Sequence, residues 1–529
     1  MNCLIKYLFV ILLLAEVNPL VSQEVKNETR AWWNVLYYDL SITPDYSERS
    51  LSGTNQLKFE VLKNGSSMQI DLLEPMTITR VLWNGTDLPF TRKGSEYLVI
   101  FPKELEKGSV ETVVIHFQGH PQVAPTPPYT SGWIWAKDDK ERPWMSVACE
   151  GSGAAIWFPC KNILSDEPDN GASLHITVPD TLVAVANGRL QKRTINKNGT
   201  VTWHWAVVNT INHYNIIPYI GKYVNWHENY AGKKGNLDCD YWVLDYNLAK
   251  AQRQFKQVDT MLQCFEDWLG PYPFYEDGYK LVESPHAGME HQSGIAYGNR
   301  FMNGFRGRDV SGSGWGLKWD FIMVHESGHE WFGNSITAAG NGDSWIHEGF
   351  TKYLETVYTN RISGKEAGDE YMLGIRKKIK NDYPIVNHGT DDYYNKAATI
   401  LHMIRQITGD DVFRQLLQGL NKTFYHRNVS SQQVFDYINS SAKQDLSKLF
   451  DQYFRTVQIP VLEYSIKDNE FVYRWTNCIK GFTMPLKLYI TDNNPRFIYP
   501  TEQWQKLGIL KNKPPVIDTN FYIDIKPLP

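Results

Sequence analysis

Two histidines four residues apart, His325 and His329, are well placed to bind a metal ion. On a helix, side chains at this spacing project from one face, so both imidazoles can reach the same cation. Glu348 follows after eighteen further residues and can supply a third ligand. Catalytic zinc sites use three protein ligands and keep a fourth position for water, whose pKa falls to about 7. Glu326 can accept a proton from that water, so the pattern predicts one hydrolytic zinc ion per chain.

The elements around this motif have to bring the three ligands together. Apolar residues recur at helical spacing from Trp315 to Phe332, which predicts one helix over that range. Asp343 is typical of a helix N-cap, and it predicts a second helix that runs to about Arg361 and returns Glu348 to the histidines. The alternative is a pair of partly buried structural histidines, because the short motif also occurs by chance.

The length and composition favour a multidomain globular protein. A chain of 529 residues can hold two to four domains and can bury a large core. It has 54 Lys and Arg residues against 58 Asp and Glu residues, a net charge of -4 without a basic block. This balance argues against nucleic acid as a partner. The aromatic content of 13% suits a chain rich in sheet, with grooves for organic ligands.

The start of the chain has the features of a secretory signal peptide. Lys6 precedes an apolar run from Tyr7 to Ala15, which is too short to span a bilayer, and Ser22 offers a small residue for cleavage. We therefore predict a signal peptide over residues 1–22 and a secreted, periplasmic or extracellular location. An uncleaved anchor is the alternative. No second apolar span follows, so no stable membrane span is expected.

Cysteines and glycosylation sequons leave two questions open. Five cysteines follow the predicted signal peptide, and their odd number leaves at least one thiol unpaired, so disulfides are allowed but not required. Seven N-x-S/T sequons predict a glycoprotein if the host glycosylates it. The sequons begin at Asn27, Asn64, Asn84, Asn198, Asn421, Asn428 and Asn439.

The periodicity of the chain divides it into three parts and predicts an α+β, multidomain fold. Short alternating segments with hairpin-type turns at Asn64-Gly65 and Asn84-Gly85 predict a mostly antiparallel β domain over residues 23–235. Helical patterns begin with a helix predicted over residues 247–269 and dominate the catalytic domain, residues 236–455; Ser430 to Gln433 forms a capping box. Short strands return in a small β domain over residues 456–529.

Several further segments, in their order along the chain, resemble the aminopeptidase N and leukotriene-hydrolase family of zinc peptidases. They resemble the family's motifs F-P-C-x-D-E-P, G-x-M-E-N, W-F-G-N, W-x-N-E-G-F and Y-x-K-G-A. The matching segments are Phe158–Cys160 with Asp166–Pro168, His286–His291, Trp331–Asn334, Trp345–Phe350 and Tyr394–Ala398. This resemblance covers most of the chain after the predicted signal peptide.

The resemblance implies a fold and a reaction. The fold is an N-terminal β domain, a thermolysin-like catalytic domain and a small β-sandwich, without the large helical C-terminal domain of the family. The reaction is removal of N-terminal residues from peptides. His325, His329 and Glu348 would bind zinc, and Glu326 would act as general base and then as general acid.

The resemblance also implies how a substrate with a free N-terminus is held. Tyr394 would donate a hydrogen bond to the oxyanion that forms at the attacked carbonyl. Glu290 and Glu150 would bind the α-amine. Gly288 and Met289 would hold the peptide backbone as an added strand. Because two carboxylates at one end of a groove attract an ammonium group, they favour an aminopeptidase over an endopeptidase.

Four positions depart from the family's motifs, and one role has two candidates. Ala287, His291, His347 and Ala397 stand where the family has Gly, Asn, Asn and Gly. Tyr393 is the alternative to Tyr394 as oxyanion donor, although the register of the following lysine favours Tyr394. Two other functions remain open: an epoxide hydrolase that uses the same zinc, and a catalytically silent peptide-binding protein on the same fold.

Overall fold

The computed structural model describes residues 28–386, 390–491, 494–509 and 515–529. The predicted signal peptide, residues 1–22, and the first sequon, Asn27, lie outside the described residues. The chain follows the predicted order of a β-rich part, a mainly helical part and a second, smaller β part.

Alternation of apolar and polar residues builds the N-terminal part. In residues 200–207, for example, fully buried residues alternate with partly buried ones, so one face of the strand packs on the core. The elements are α1 Glu28–Ala31, β1 Trp33–Asp45, β2 Ser50–Val61, β3 Gly65–Asp71, β4 Thr77–Trp83, β5 Thr86–Asp87, β6 Phe90–Lys93, β7 Glu96–Leu105, β8 Val110–Gly119, β9 Gly132–Lys137, β10 Pro143–Ala148, β11 Ala172–Pro179, β12 Val183–Val185, β13 Arg189–Ile195, β14 Thr200–Val207 and β15 Tyr219–Gly221.

These strands form three sheets around one apolar core. The largest sheet has eight strands in the order β13-β14-β11-β1-β2-β8-β4-β5, and β12-β15-β10-β9 and β3-β7-β6 form the other two. Neighbouring strands are antiparallel as predicted, except that β1 and β11 pair in parallel. Local sequence gave no sign of this pairing, because its two strands lie far apart in the chain.

The two predicted hairpin turns have different outcomes. Asn84 and Gly85 both have positive φ and connect β4 to β5 in a two-residue hairpin, as predicted. The prediction of a hairpin at Asn64-Gly65 is wrong, because β2 and β3 belong to different sheets. Gly65 is needed there for space, since a Cβ would lie 2.5 Å from the Trp32 ring.

The middle part changes to helical periodicity where expected, after residue 244. The predicted helix over residues 247–269 is divided in two at Phe255 and Lys256. The elements are β16 Tyr223–Gly232, β17 Gly235–Leu244, α2 Leu248–Gln254, α3 Gln257–Leu269, β18 Tyr279–Glu283, β19 Gly288–Met289, β20 Ile295–Tyr297, α4 Phe321–Gly328, β21 Ile336–Ala338, α5 Trp345–Ser363, α6 Lys365–Arg376, α7 Asp392–Thr408, α8 Asp410–Thr423, β22 Arg427–Val429, α9 Ser431–Ser441 and α10 Ser447–Arg455.

A five-stranded sheet and the buried helix α5 organise this part. The sheet has the order β16-β17-β18-β20-β19, so the two-residue strand β19 forms its edge. The hairpin of β16 and β17 spans the predicted domain limit between residues 235 and 236; the domain limits themselves stay a prediction. The capping box at Ser430 and Gln433 is confirmed.

The C-terminal part consists of short strands that pack against the helices. Tyr453 on α10 donates a hydrogen bond to the carbonyl of Tyr522 at 2.7 Å, and a shared apolar core continues across this contact. The elements are β23 Val461–Lys467, β24 Glu470–Thr476, β25 Leu486–Thr491, β26 Asn494–Ile498, β27 Gln505–Gly508, β28 Val516–Ile517 and β29 Asp524–Pro527. These strands form a four-stranded and a three-stranded sheet, in the orders β27-β24-β23-β29 and β26-β25-β28.

Two questions left by the sequence can be addressed over the part of the chain described here. Its five cysteines, Cys149, Cys160, Cys239, Cys264 and Cys478, are all free. In the same residues, every helix is too short or too polar to cross a membrane.

Candidate active site

Helix α4 presents the two histidines. The predicted helix over Trp315 to Phe332 is wrong at both ends: a 3₁₀ turn ends at Lys318, Trp319 is extended, and the helix ends at Gly328. Asp320 prevents α4 from beginning earlier in the chain, because its side chain caps this helix by accepting a hydrogen bond from the Met323 amide. His329 directly follows the last helical residue and keeps helical backbone angles.

Helix α5 supplies the carboxylate. The predicted N-cap, Asp343, is wrong: it ends a 3₁₀ turn and accepts hydrogen bonds from Ser431, while Ser344 occupies the cap position. Glu348 lies in the first turn of α5. One of its oxygens, Oε2, is 3.3 Å from His325 Nε2 and 3.4 Å from His329 Nε2. The predicted ligands are therefore brought together.

The three side chains fit a zinc ion. Their ligand atoms all lie within 4.8 Å of one another, and zinc–nitrogen distances of about 2.0–2.1 Å place neighbouring ligand atoms about 3.3–3.4 Å apart in a tetrahedron. Glu348 Oε2 is buried and has no hydrogen-bond partner among the described residues. A buried polar atom left without a partner is costly, and a cation held between Glu348 and the two imidazoles would satisfy it.

Both imidazoles are oriented through their other nitrogen. His325 Nδ1 bonds Glu355 Oε1 at 2.8 Å, and His329 Nδ1 bonds the Phe332 carbonyl at 2.9 Å. Each ring therefore directs Nε2 toward Glu348, as metal-binding histidines do.

Glu355 orients His325 and was not predicted from the sequence. It lies on α5, is fully buried, and also accepts hydrogen bonds from Lys352 and Tyr371. Its spacing could have revealed it, because a residue seven positions after Glu348 lies on the same face of the helix.

Glu326 lies beside the metal ligands, next to the edge strand β19. Burial raises the pKa of its carboxyl to about 7, with Glu290 and Glu348 adding to the effect and the two histidines opposing it. Such a pKa suits a general base near neutral pH. Gly288 allows the close approach of Glu326, because a Cβ at this position would lie only 2.5 Å from Glu326 Oε1.

Two acidic residues lie near this center. Glu290 directly follows β19, is buried, and accepts a hydrogen bond from the Tyr214 hydroxyl at 3.0 Å. Glu150 follows β10 and keeps an exposed side chain. The negative charge of Glu290 is the largest of the causes that raise the pKa of Glu150 well above its ordinary range. Loss of hydration around the carboxyl group comes second, and the charges of Glu348 and Glu326 add to the effect. The predicted amine-binding residues are thus neighbours of each other and of the metal ligands.

Tyr394, near the start of α7, reaches the same center. Its hydroxyl donates a hydrogen bond to Glu348 Oε1 at 2.7 Å, so the two oxygens of this carboxylate face the tyrosine and the histidines. Tyr393 packs against the Tyr394 ring with centroids 4.7 Å apart. Among the hydrogen bonds of the described residues, only Tyr394 of this pair reaches a metal ligand, which favours it over Tyr393.

The two histidines that replace family asparagines are buried hydrogen-bonding groups. His347 Nε2 accepts a hydrogen bond from the Ala338 amide at 2.7 Å, and burial lowers its pKa to about 4. His291 Nδ1 bonds the Tyr219 hydroxyl, which itself donates to the Gly294 carbonyl, and burial lowers the pKa of His291 well below its usual value. In both histidines, burial disfavours the charged form of the imidazole.

Two family descriptions match the sequence. Peptidase M1 N-terminal domain matches residues 34–214, and Peptidase family M1 domain matches residues 254–453, a range that contains all three metal-binding residues. The chain belongs to the M1 peptidase family. The predicted resemblance to the aminopeptidase N and leukotriene-hydrolase family is therefore confirmed.

Relatives of this M1 peptidase include longer proteins. Endoplasmic reticulum aminopeptidase 1 of Homo sapiens is 25% identical over 373 residues, which are 67% of this chain and 39% of that protein. Leukotriene A-4 hydrolase of Xenopus laevis is 21% identical over 455 residues, 79% of this chain and 70% of that protein. The chain thus spans well under half the length of the human relative.

Solved structures share the fold of this M1 peptidase. The M1 zinc metallopeptidase from Deinococcus radiodurans has a TM-score of 0.67 at 22% identity, over 77% of this chain and 90% of that chain. A mutant of that protein bound to a Tyr-Ser-Ala substrate has a TM-score of 0.69 at 21% identity, over 81% and 95% of the two chains. These similarities confirm the predicted α+β multidomain fold.

Proposed function

We propose that this M1 peptidase is a zinc aminopeptidase that hydrolyses the first peptide bond of peptides with a free N-terminus. The observation that carries the proposal is the grouping of two carboxylates, Glu290 and Glu150, beside Glu326 and the three metal-binding side chains. A substrate ammonium group bound there brings its first peptide bond next to Glu326. An acetylated terminus has no charge to compensate the two carboxylates.

His325, His329 and Glu348 would hold the metal. When bound, zinc supplies Lewis acidity that polarises the attacked carbonyl and makes water a stronger acid. Glu326 takes the proton from the attacking water and passes it to the leaving amine, which is the role of a positioned general base and acid. Tyr394 donates its hydroxyl to the developing oxyanion, for which its hydrogen bond to Glu348 must be exchanged.

The backbone of β19 would align the substrate. Gly288 and Met289 form the edge of the five-stranded sheet, and their outer side can pair with an extended peptide. This pairing holds the first peptide bond against Glu326, which approaches Gly288 closely. The names of the relatives support this reading: one is an aminopeptidase, and the neighbour from Deinococcus radiodurans has been captured with a tripeptide substrate.

Substitution of Gly288 by Ala should lower kcat by about 10- to 100-fold without loss of zinc. The new Cβ would lie 2.5 Å from Glu326 Oε1 and 2.8 Å from Ile322 Cδ1, so the base must move, and a displacement of about 1 Å can cost 10²-fold. Overpacking should also lower the free energy of unfolding by about 1–3 kcal/mol. Turnover of an aminoacyl arylamide, zinc content and thermal unfolding measure these effects.

Gly508 provides the matched control, because a Cβ added there meets nothing within 4 Å. Gly508→Ala should keep the wild-type rate. Full activity of Gly288→Ala would show that Glu326 does not depend on this close contact.

Substitution of Glu290 by Gln should lower kcat/KM for substrates with a free amine by about 10- to 100-fold. A hydrogen bond to a charged group contributes about 1.5–3 kcal/mol, and the amide keeps the oxygen that accepts from Tyr214. Free and N-acetylated aminoacyl arylamides should be compared in both proteins, with the exposed Glu106→Gln as control. Equal turnover of the free and acetylated substrates by the wild-type protein would contradict the aminopeptidase proposal.

The same measurements separate the two alternative functions. A silent peptide-binding protein would bind zinc and peptides without turnover of any arylamide. An epoxide hydrolase would turn over a lipid epoxide in preference to the arylamide. We extend the proposal to a secreted enzyme, which rests on the predicted signal peptide at residues 1–22.

A further inference from the structure

Three arginines lie on the segment that follows β20. Arg300 and Arg308 are exposed and Arg306 is half-buried. None of the ion pairs formed within the described ranges involves these three residues. Arg306 Nε donates to the Gly298 carbonyl at 3.2 Å, which fixes the base of its guanidinium group. The segment therefore presents positive charge without acidic partners.

Arg300 and Arg306 line a cavity of about 490 Å³ together with Lys250 and Pro285. A neighbouring cavity of about 290 Å³ is lined by the three arginines and Phe305.

Two acidic residues, Asp139 and Glu283, also line the larger cavity. Glu283 is already engaged by the Leu244 amide at 2.8 Å and by Asn247 Nδ2 at 2.7 Å. Burial raises the pKa of Glu283 to about 7, which disfavours its charged form. The positive charge of the cavity is therefore only partly balanced.

The topology places this cavity at the far end of the proposed substrate site. Strand β19 is antiparallel to β20, with Gly288 opposite Tyr297, and the Gly298 amide bonds the Ala287 carbonyl at 2.7 Å. The chain that leaves β20 toward the arginines thus lies beside the residues that precede Gly288. Pro285, three residues before Gly288, lines the cavity itself.

The direction of a substrate follows from the position of its amine. A peptide whose amine is held at Glu290 can extend along β19 only toward Gly288 and then Ala287, antiparallel to this strand. Each residue advances the chain by about 3.4 Å, so two or three residues beyond the cleaved bond cover roughly 7–10 Å and lead toward Pro285. We expect the last residue of a short peptide to come near the cavity that Pro285 shares with Arg300 and Arg306.

We infer that Arg300 and Arg306 bind the C-terminal carboxylate of peptides of three or four residues, an inference that rests on the proposed aminopeptidase function. The ends of the cleft match the charges of such a peptide, with carboxylates for the ammonium group and guanidinium groups for the carboxylate. The pKa of Arg306 is lowered by burial and then by Arg300, while Tyr129 acts in the opposite direction. Tyr129 and Ser131 lie on the same loop. Ser131 accepts a hydrogen bond from the amide of Ser152, two residues after Glu150, so this loop connects the surroundings of Glu150 with those of Arg306.

The test compares Ala-Ala-Ala with its C-terminal amide in the zinc-loaded wild-type protein and in Arg300→Ala/Arg306→Ala. The wild-type kcat/KM should be about tenfold higher for the free acid, mainly through KM, and this ratio should fall to about one in the double variant. Because the measured quantity is a ratio, a general loss of activity cancels. The exposed Arg253→Ala, which removes an arginine elsewhere, should keep the wild-type ratio.

An Ala-Ala-Asp amide distinguishes the source of the carboxylate. A rate equal to that of the amide of Ala-Ala-Ala supports recognition of the chain terminus. A rate as high as that of the free acid of Ala-Ala-Ala shows that a side-chain carboxylate is recognised instead.

Equal rates for the acid and the amide of Ala-Ala-Ala in the wild-type protein, or a ratio that persists in the double variant, overturn the inference. If the wild-type protein cleaves neither the peptides nor alanine arylamide, the proposed function fails first. Calorimetric binding of the acid and amide tripeptides to Glu326→Gln then tests the arginine site separately.

Discussion

Replacement of Glu326 by Gln is expected to lower kcat by about 10²- to 10⁴-fold while the protein keeps its zinc and its fold. The loss corresponds to removal of a general base and acid, since glutamine has the same shape but cannot take a proton. Glu326 lies beside the metal ligands but does not orient the two histidines. His325 is held by Glu355, and His329 is held by the Phe332 carbonyl. Metal binding should therefore survive.

This result is checked by turnover of an aminoacyl arylamide at saturating substrate, together with zinc content and thermal unfolding. Glu366→Gln on the exposed face of α6 controls for the change of charge and should keep the wild-type rate. A Glu326→Gln protein with full activity and normal zinc content would assign the proton transfer to another group. A loss of zinc together with the rate would show that Glu326 supports the metal site.

The zinc-binding residues could be predicted because their geometry is local. The spacing of His325 and His329 requires only one helical turn, and Glu348 requires only that α5 packs on α4. The ends of these helices could not be placed as well. The apolar pattern continues from Trp315 through Trp319, but Asp320 competes by capping the helix with its side chain, and Trp319 becomes extended.

Contacts between segments that lie far apart in the chain could not be predicted from local sequence patterns. The parallel pairing of β1 with β11 and the placement of Asn64-Gly65 between two sheets depend on the whole topology. The positive charge at the end of the cleft also went unseen, because Arg300 and Arg306 meet the substrate site only through the pairing of β20 with β19. Glu355 is different, since its helical register with Glu348 was available in the sequence.

Replacement of Glu348 by Ala is expected to weaken zinc binding by more than about 100-fold and to abolish activity at ordinary zinc concentrations. Loss of a residue that merely orients a ligand costs about 10- to 100-fold in affinity, and removal of a ligand should cost more. The substitution also removes the acceptor of the Tyr394 hydroxyl and leaves two imidazoles facing a site with no anionic ligand. A chelator should reproduce the loss of activity in the wild-type protein, and added zinc should reverse it.

Thermal unfolding gives a second measurement that does not depend on turnover. A ligand that binds only the folded state stabilises it, by about 2.7 kcal/mol at a concentration 100 times Kd. Added zinc should therefore raise the Tm of the chelator-treated wild-type protein and of Glu366→Ala, but not that of Glu348→Ala. An equal zinc-dependent shift in all three proteins would place the metal elsewhere. Because Glu348 joins the two histidines to Tyr394, such a result would also remove the argument that these side chains form one catalytic center.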